Sequence, residues 1–136
     1  MIDETLHILI IDDDEINNFI AAKLIDKIPP RARVSTCLNG QEGINYITSR
    51  LNNQKDLPDI IFLDINMPIM NGWEFLEEYA AVTHQISKKI VINMLSSSVY
   101  NDDISKSKTY PTVNRFISKP LTIEKIQDLY QSLGIS

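Results

Sequence analysis

The chain has 136 residues, 43% of them apolar, a formal charge of −5 and a single cysteine, Cys37. That length buries a core as one domain without staples, and one thiol allows no internal disulfide and fits a reducing cytoplasm. An acidic balance argues against a broad nucleic-acid footprint, no apolar stretch approaches the ~18 residues of a membrane helix, and no leader pattern opens the chain.

In chain order, Leu6 to Ile11 is an apolar, β-branched run that reads as a first strand and ends on Asp12, Asp13 and Asp14. A helix is predicted from Glu15 to Lys27, with Asp14 as its cap and Glu15 in its first turn. Ile16, Phe19, Ile20, Leu24 and Ile28 share one stripe, widened by Ala21, Ala22 and Ile25. The stripe reads as core packing, with a partner surface at its exposed edge as the alternative. Pro29-Pro30 ends the helix. Arg33 to Leu38 alternates and reads as an edge strand, with Cys37 a small buried hydrophobe. Asn39-Gly40 reads as a turn before a helix from Gln41 to Leu51, and Asn52 to Leu57 as a polar loop.

Pro58 then opens a continuous apolar run, Ile60 to Leu63, that stops on Asp64. Such a run suits a strand buried on both faces of a parallel sheet. The loop Met67-Pro68 to Asn71-Gly72 leads into a helix from Gly72 to Val82, whose Trp73 is expected to pack toward the sheet. His84 reads as solvated, since no second His or Cys stands at metal spacing. Lys89 to Leu95 is a fourth strand ending on Ser96, Ser97 and Ser98. A short helix from Asn101 or Asp102 to Lys108 stops at Tyr110-Pro111. Val113 to Ser118 is a fifth strand ending in Lys119-Pro120. Thr122 caps a last helix that points Ile123, Ile126, Leu129 and Leu133 inward, and Gly134 closes it. Five βα units imply an α/β fold, a doubly wound parallel sheet with helices on both faces.

In a parallel sheet all the carboxyl ends lie on one edge, where ligands bind. This places Asp12, Asp13, Asp64, Ser96 and Lys119 together. Clustered carboxylates repel one another and favour a cation, and an all-oxygen set suits Mg²⁺. A lysine and a hydroxyl opposite the metal suit phosphoryl oxygens. The matching chemistry is phosphoryl transfer to a carboxylate.

At these residues the chain resembles the receiver domains of two-component response regulators, over essentially its whole length. The resemblance rests on IIDDDE, FLDINMPIMNG, MLSSS and FISKP. It implies a five-stranded sheet of order 2-1-3-4-5, a flavodoxin-like arrangement. It implies that Asp64 is the phosphoacceptor and that Mg²⁺ is held by Asp12, Asp13, Asp64 and the backbone carbonyl of Asn66. Ser96, Ser97 and Lys119 would bind the phosphoryl group, and Ser96 and Phe116 would form the switch. Ser97 departs from the family, standing where many receivers have a small apolar residue. The implied partners are a sensor histidine kinase or histidine phosphotransfer protein and a downstream protein, with no direct nucleic acid and no membrane insertion. The expectation is a cytoplasmic signalling domain over 1–136, monomeric or weakly dimeric, with no output domain and no turnover beyond its own phosphorylation and dephosphorylation. Asp12-Asp13-Asp14 also resembles the first motif of haloacid-dehalogenase-type phosphatases, with Asp12 as nucleophile and Asp14 as general acid. That alternative leaves Asp64 and the MPIMNG loop unexplained.

Overall fold

The apolar runs of the sequence become five parallel strands, and the amphipathic stretches between them become helices. The computed structural model describes residues 5–97 and 101–135. Its elements are β1 (Leu6–Ile11), α1 (Glu15–Asp26), β2 (Ala32–Cys37), α2 (Gly40–Thr48), β3 (Ile60–Asp64), α3 (Gly72–Val82), β4 (Val91–Ser96), α4 (Asn101–Ser107), β5 (Val113–Ser118) and α5 (Ile123–Ser132). The sheet order is β2-β1-β3-β4-β5, as expected. The expected polar loop at 52–57 holds a short 3₁₀ turn, Gln54–Asp56. Ser98 lies outside the described residues.

Side-chain alternation along the strands builds two cores. Leu9, Ile11, Ile61, Leu63, Ile92 and Met94 face one way and pack with Ile44 and Ile47 of α2 and Phe75, Leu76 and Tyr79 of α3. Ile8, Ile10, Ile60, Phe62 and Leu95 face the other way, toward Ala21 and Ile25 of α1 and Ile126, Leu129 and Tyr130 of α5. With both faces covered, β3 is buried at every residue from Ile60 to Asp64, which is why it reads as an unbroken apolar run.

Helix α1 bears out the expected stripe at Ala21, Ile25 and Ile28 and corrects it at Ile16, Phe19 and Ile20. Ile16, Phe19 and Ile20 are 72%, 63% and 50% exposed, while Asn18, Ala21, Ile25 and Ile28 are buried. Two neighbouring stripes of this helix are apolar enough to pack. The one with small Ala21 and hydrogen-bonding Asn18 lies against the sheet, and the bulkier one faces solvent. Ile123 is likewise 37% exposed rather than inward. Asn39 is a helix cap instead of a turn residue, with Oδ1 accepting from the Glu42 amide. Trp73 is half-buried at the edge of the core; its ring stacks on Tyr110 at 5.7 Å, and Lys106 sits over it.

Candidate functional site

Each strand that meets the site delivers its side chain at the point where sheet pairing stops. The final residue of β3 is Asp64, paired with Leu95 of β4. Asp12 follows β1, and its amide donates to the Cys37 carbonyl at 3.0 Å. Lys119 follows β5, with its amide on the Ser96 carbonyl at 2.8 Å. These main-chain bonds fix the roots of three charged side chains before any charge interacts.

The side chains then converge. Lys119 Nζ lies 2.6 Å from Asp12 Oδ2 and 3.2 Å from Asp64 Oδ1. Asp12 and Asp64 are buried, at 2% and 6% exposure, whereas Asp13 is exposed. Carboxylate oxygens of Asp12, Asp13 and Asp64 lie within 4.8 Å of one another. Burial and the Asp12 charge push the Asp64 carboxyl up to about 6, with a smaller push from Asp13 and opposition from Lys119. Burial together with the neighbouring carboxylates thus outweighs the Lys119 ammonium. The residues present fit a hard divalent cation, because the donors are all carboxylate oxygens and their mutual repulsion is what a cation relieves.

The remaining expected residues fall as follows. Ser96 ends β4 and is buried, beside exposed Ser97. Asn66 is exposed in the loop after Asp64. Phe116 is half-buried on β5 opposite Met94, packed against the α2–α3 core. Asp14 caps α1 as expected, with Oδ1 accepting from the Ile16 and Asn17 amides at 3.0 and 3.1 Å. Both bonds fall on one oxygen and hold Asp14 at the start of the helix. Sequence reasoning missed Asn18, which donates from Nδ2 to the Asp12 carbonyl at 2.9 Å. The available cue was an asparagine in a helix interior, a residue that is favoured elsewhere.

The loop from Ile65 to Gly72 is closed by the Gly72 amide donating to the Ile65 carbonyl at 2.8 Å. A Cβ on Gly72 would stand 2.5 Å from the Asp64 carbonyl oxygen and 3.0 Å from the Ile65 Cα. Backbone cannot yield as a side chain can. Gly72→Ala is therefore expected to lower stability by about 2 kcal/mol in urea unfolding and to displace the loop beside Asp64. Within the same loop, Ile69 has φ 69° and is 80% exposed, a strained conformation for a β-branched residue.

Comparisons with known proteins bear on the fold and the family. The structure is similar to a two component response regulator from Cytophaga hutchinsonii, with 31% identity, a TM-score of 0.83 and coverage of 96% of this chain and 98% of that one. It is also similar to a response regulator receiver protein from Dyadobacter fermentans, with 30% identity, a TM-score of 0.80 and coverage of 97% and 100%. A protein-glutamate methylesterase/protein-glutamine glutaminase from Treponema denticola is 32% identical over 75 residues, or 55% of this chain, and the aligned segment spans 18% of that relative's length. Among the described residues no helix is long and apolar enough to cross a membrane. A family model of the response regulator receiver domain matches residues 8–131, and the chain belongs to that family.

Proposed function

We propose that Asp64 accepts a phosphoryl group from a phosphohistidine of a sensor histidine kinase or histidine phosphotransfer protein. An Asp64 carboxylate oxygen bonds to phosphorus as the phosphorus–nitrogen bond breaks, and the imidazole leaves with the electron pair and takes up a proton. Asp12, Asp13, Asp64 and the Asn66 main-chain carbonyl are the proposed Mg²⁺ ligands. When bound, the cation offsets the charge of the carboxylates and of the phosphoryl oxygens. Lys119 turns its ammonium to one phosphoryl oxygen, and the Ser96 hydroxyl, with Ser97 beside it, donates to another.

The observation that carries this reading is the placement of Asp64. It is buried at the end of β3, against Lys119 and within the three-carboxylate group. Exposed Ile16, Phe19 and Ile20 on α1 support a docking role for that helix in meeting the phosphodonor. To test the reading, the chain is incubated with acetyl phosphate and Mg²⁺ and its intact mass is followed. The natural chain should gain one phosphoryl group, and Asp64→Asn or added chelator should abolish the gain. Labelling that survives Asp64→Asn would sink the assignment.

The signal is proposed to leave through Ser96 and Phe116. A phosphoryl group adds about −1.5 to −2 charges and new acceptor oxygens. Ser96 turning toward it opens space that the Phe116 ring fills, and the surface around Tyr110, Phe116 and Ile123 changes with it. Adding beryllofluoride as a phosphate mimic should shift amide resonances throughout residues 101–118. A response confined to the residues just after Asp64 and Ser96 would place the output in the loops and exclude Phe116.

A further inference from the structure

Asn18 is a buried polar side chain whose oxygen has no role in the mechanism above. It is 4% exposed on α1, and its Nδ2 donates to the Asp12 carbonyl at 2.9 Å. That bond settles the amide's orientation, since only the nitrogen end can serve a carbonyl. Oδ1 is the end turned away, and among the described residues it has no hydrogen-bond partner. A buried amide oxygen without a donor is costly, so native proteins rarely keep one without use.

Asn18 lines a cavity of about 40 Å³ with Asp12, Ala21, Leu95, Lys119 and Leu121. Asp12 accepts there, the aliphatic residues offer nothing, and the Asn17 amide, also on the lining, belongs to an exposed side chain that water can serve. Lys119 is the donor already held within the site. Its ammonium carries three N–H groups, and Asp12 and Asp64 each draw on it, at 2.6 and 3.2 Å.

We propose that Asn18 is a positioning residue whose Oδ1 holds the Lys119 ammonium when Asp12 turns to a metal ion. The proposal rests on the reading of Asp12, Asp13 and Asp64 as a divalent-cation site. At 2.6 Å, Lys119 occupies an oxygen of a carboxylate that the cation also needs. An ammonium driven off Asp12 with nowhere to go would be a buried charge short of a partner, and that cost would oppose cation binding. Asn18 lines the same cavity as Lys119, and its unpartnered Oδ1 would supply a neutral acceptor there. Its other end is tied to the main chain of Asp12 itself, so it stays in place when the carboxylate turns. Lys119 then remains beside Asp64, where it is needed for the phosphoryl oxygen, while Asp12 is released.

The test is a double-mutant cycle read by Mg²⁺ affinity, which needs no phosphorylation. Isothermal calorimetry, with Trp73 fluorescence as a second signal, is applied to the natural chain, Asn18→Leu, Lys119→Met and the double variant. Circular dichroism checks that each is folded in the presence of Mg²⁺. Asn18→Leu should weaken Mg²⁺ binding about tenfold when Lys119 is present and less than about twofold when residue 119 is Met. Equal weakening in both backgrounds would mean that Asn18 merely ties α1 to β1, and would overturn the proposal. Should Asn18→Leu fail to fold, Asn18→Ala serves the same cycle. Independently, the Lys119 Nζ resonance of the natural chain should move on adding Mg²⁺, and that movement should be altered in Asn18→Ala; an unaltered movement overturns the proposal. If the natural chain binds no Mg²⁺, the cation-site reading falls with it. If Mg²⁺ binds and Asn18→Leu changes nothing, the role of Asn18 alone is refuted.

Discussion

In the absence of divalent cations, Asp64→Asn is expected to be more stable than the natural chain at pH 8 by about 3 kcal/mol, with no difference below pH 4. The carboxyl rises from 3.8 in the unfolded reference to about 6 in the fold. Burial is the largest cause, the Asp12 charge adds to it, and Lys119 opposes without winning. Because the native state holds this proton more tightly, stability is fullest below the unfolded value. It is lost as pH climbs from about 4 through about 6. An asparagine is neutral throughout and escapes that loss, while its amide oxygen can still accept from Lys119. Urea unfolding at pH 3.5, 5, 6 and 8 in chelator checks the curve. A variant less stable than the natural chain at pH 8 would mean that the Lys119 pair outweighs burial. Added Mg²⁺ should favour the natural chain selectively, because it binds the ionised form. The site thus costs stability where its proposed chemistry needs an ionised carboxylate.

The parts of this site legible in the sequence were those at strand ends. An apolar run that stops on an acid or a lysine shows where pairing ends, and parallel topology then sends every such residue to one edge. Asp12, Asp64 and Lys119 were found in this way, and the structure brings them together. Asp13 was found by adjacency and joins the group from an exposed position. The facing of α1 was legible only in part: Ala21, Ile25 and Ile28 turn inward as expected, but Ile16, Phe19 and Ile20 do not. Ile16, Phe19 and Ile20 outrank Asn18 and Ala21 on any hydrophobic scale, yet the latter pair is buried. What decides it is a specific bond, Asn18 Nδ2 to the Asp12 carbonyl, together with the close approach a small Ala21 permits. Periodicity carries neither. The contact of Trp73 with Tyr110 was hidden for a related reason, since it joins α3 to the segment after α4 across 37 residues of chain.

Lys119→Met is expected to cost about 3–5 kcal/mol near pH 8 without divalent cations, a large part of the stability of a domain this size. The direction follows from competing effects on Lys119 itself. Burial alone would lower its pKa, but the Asp12 and Asp64 carboxylates outweigh burial and raise it. Its charged form is therefore stabilised by the fold, a contribution present below the lysine's ordinary value and lost only at more alkaline pH. Removing the ammonium leaves Asp12 and Asp64 buried beside each other without the one cation that pairs with them among the described residues. The less costly escape is protonation, so the Asp64 carboxyl should titrate above about 6 in the variant. Two consequences separate this account from simple loss of packing. The deficit should shrink as pH falls below that titration, because a neutral Asp64 has no need of the ammonium. Mg²⁺ at neutral pH should also restore much of the loss by occupying the same carboxylates. Urea unfolding at pH 5 and pH 8, with and without Mg²⁺, measures both. A deficit equal under all four conditions would show that Lys119 stabilises through its aliphatic stem, and the electrostatic account of the site would fail.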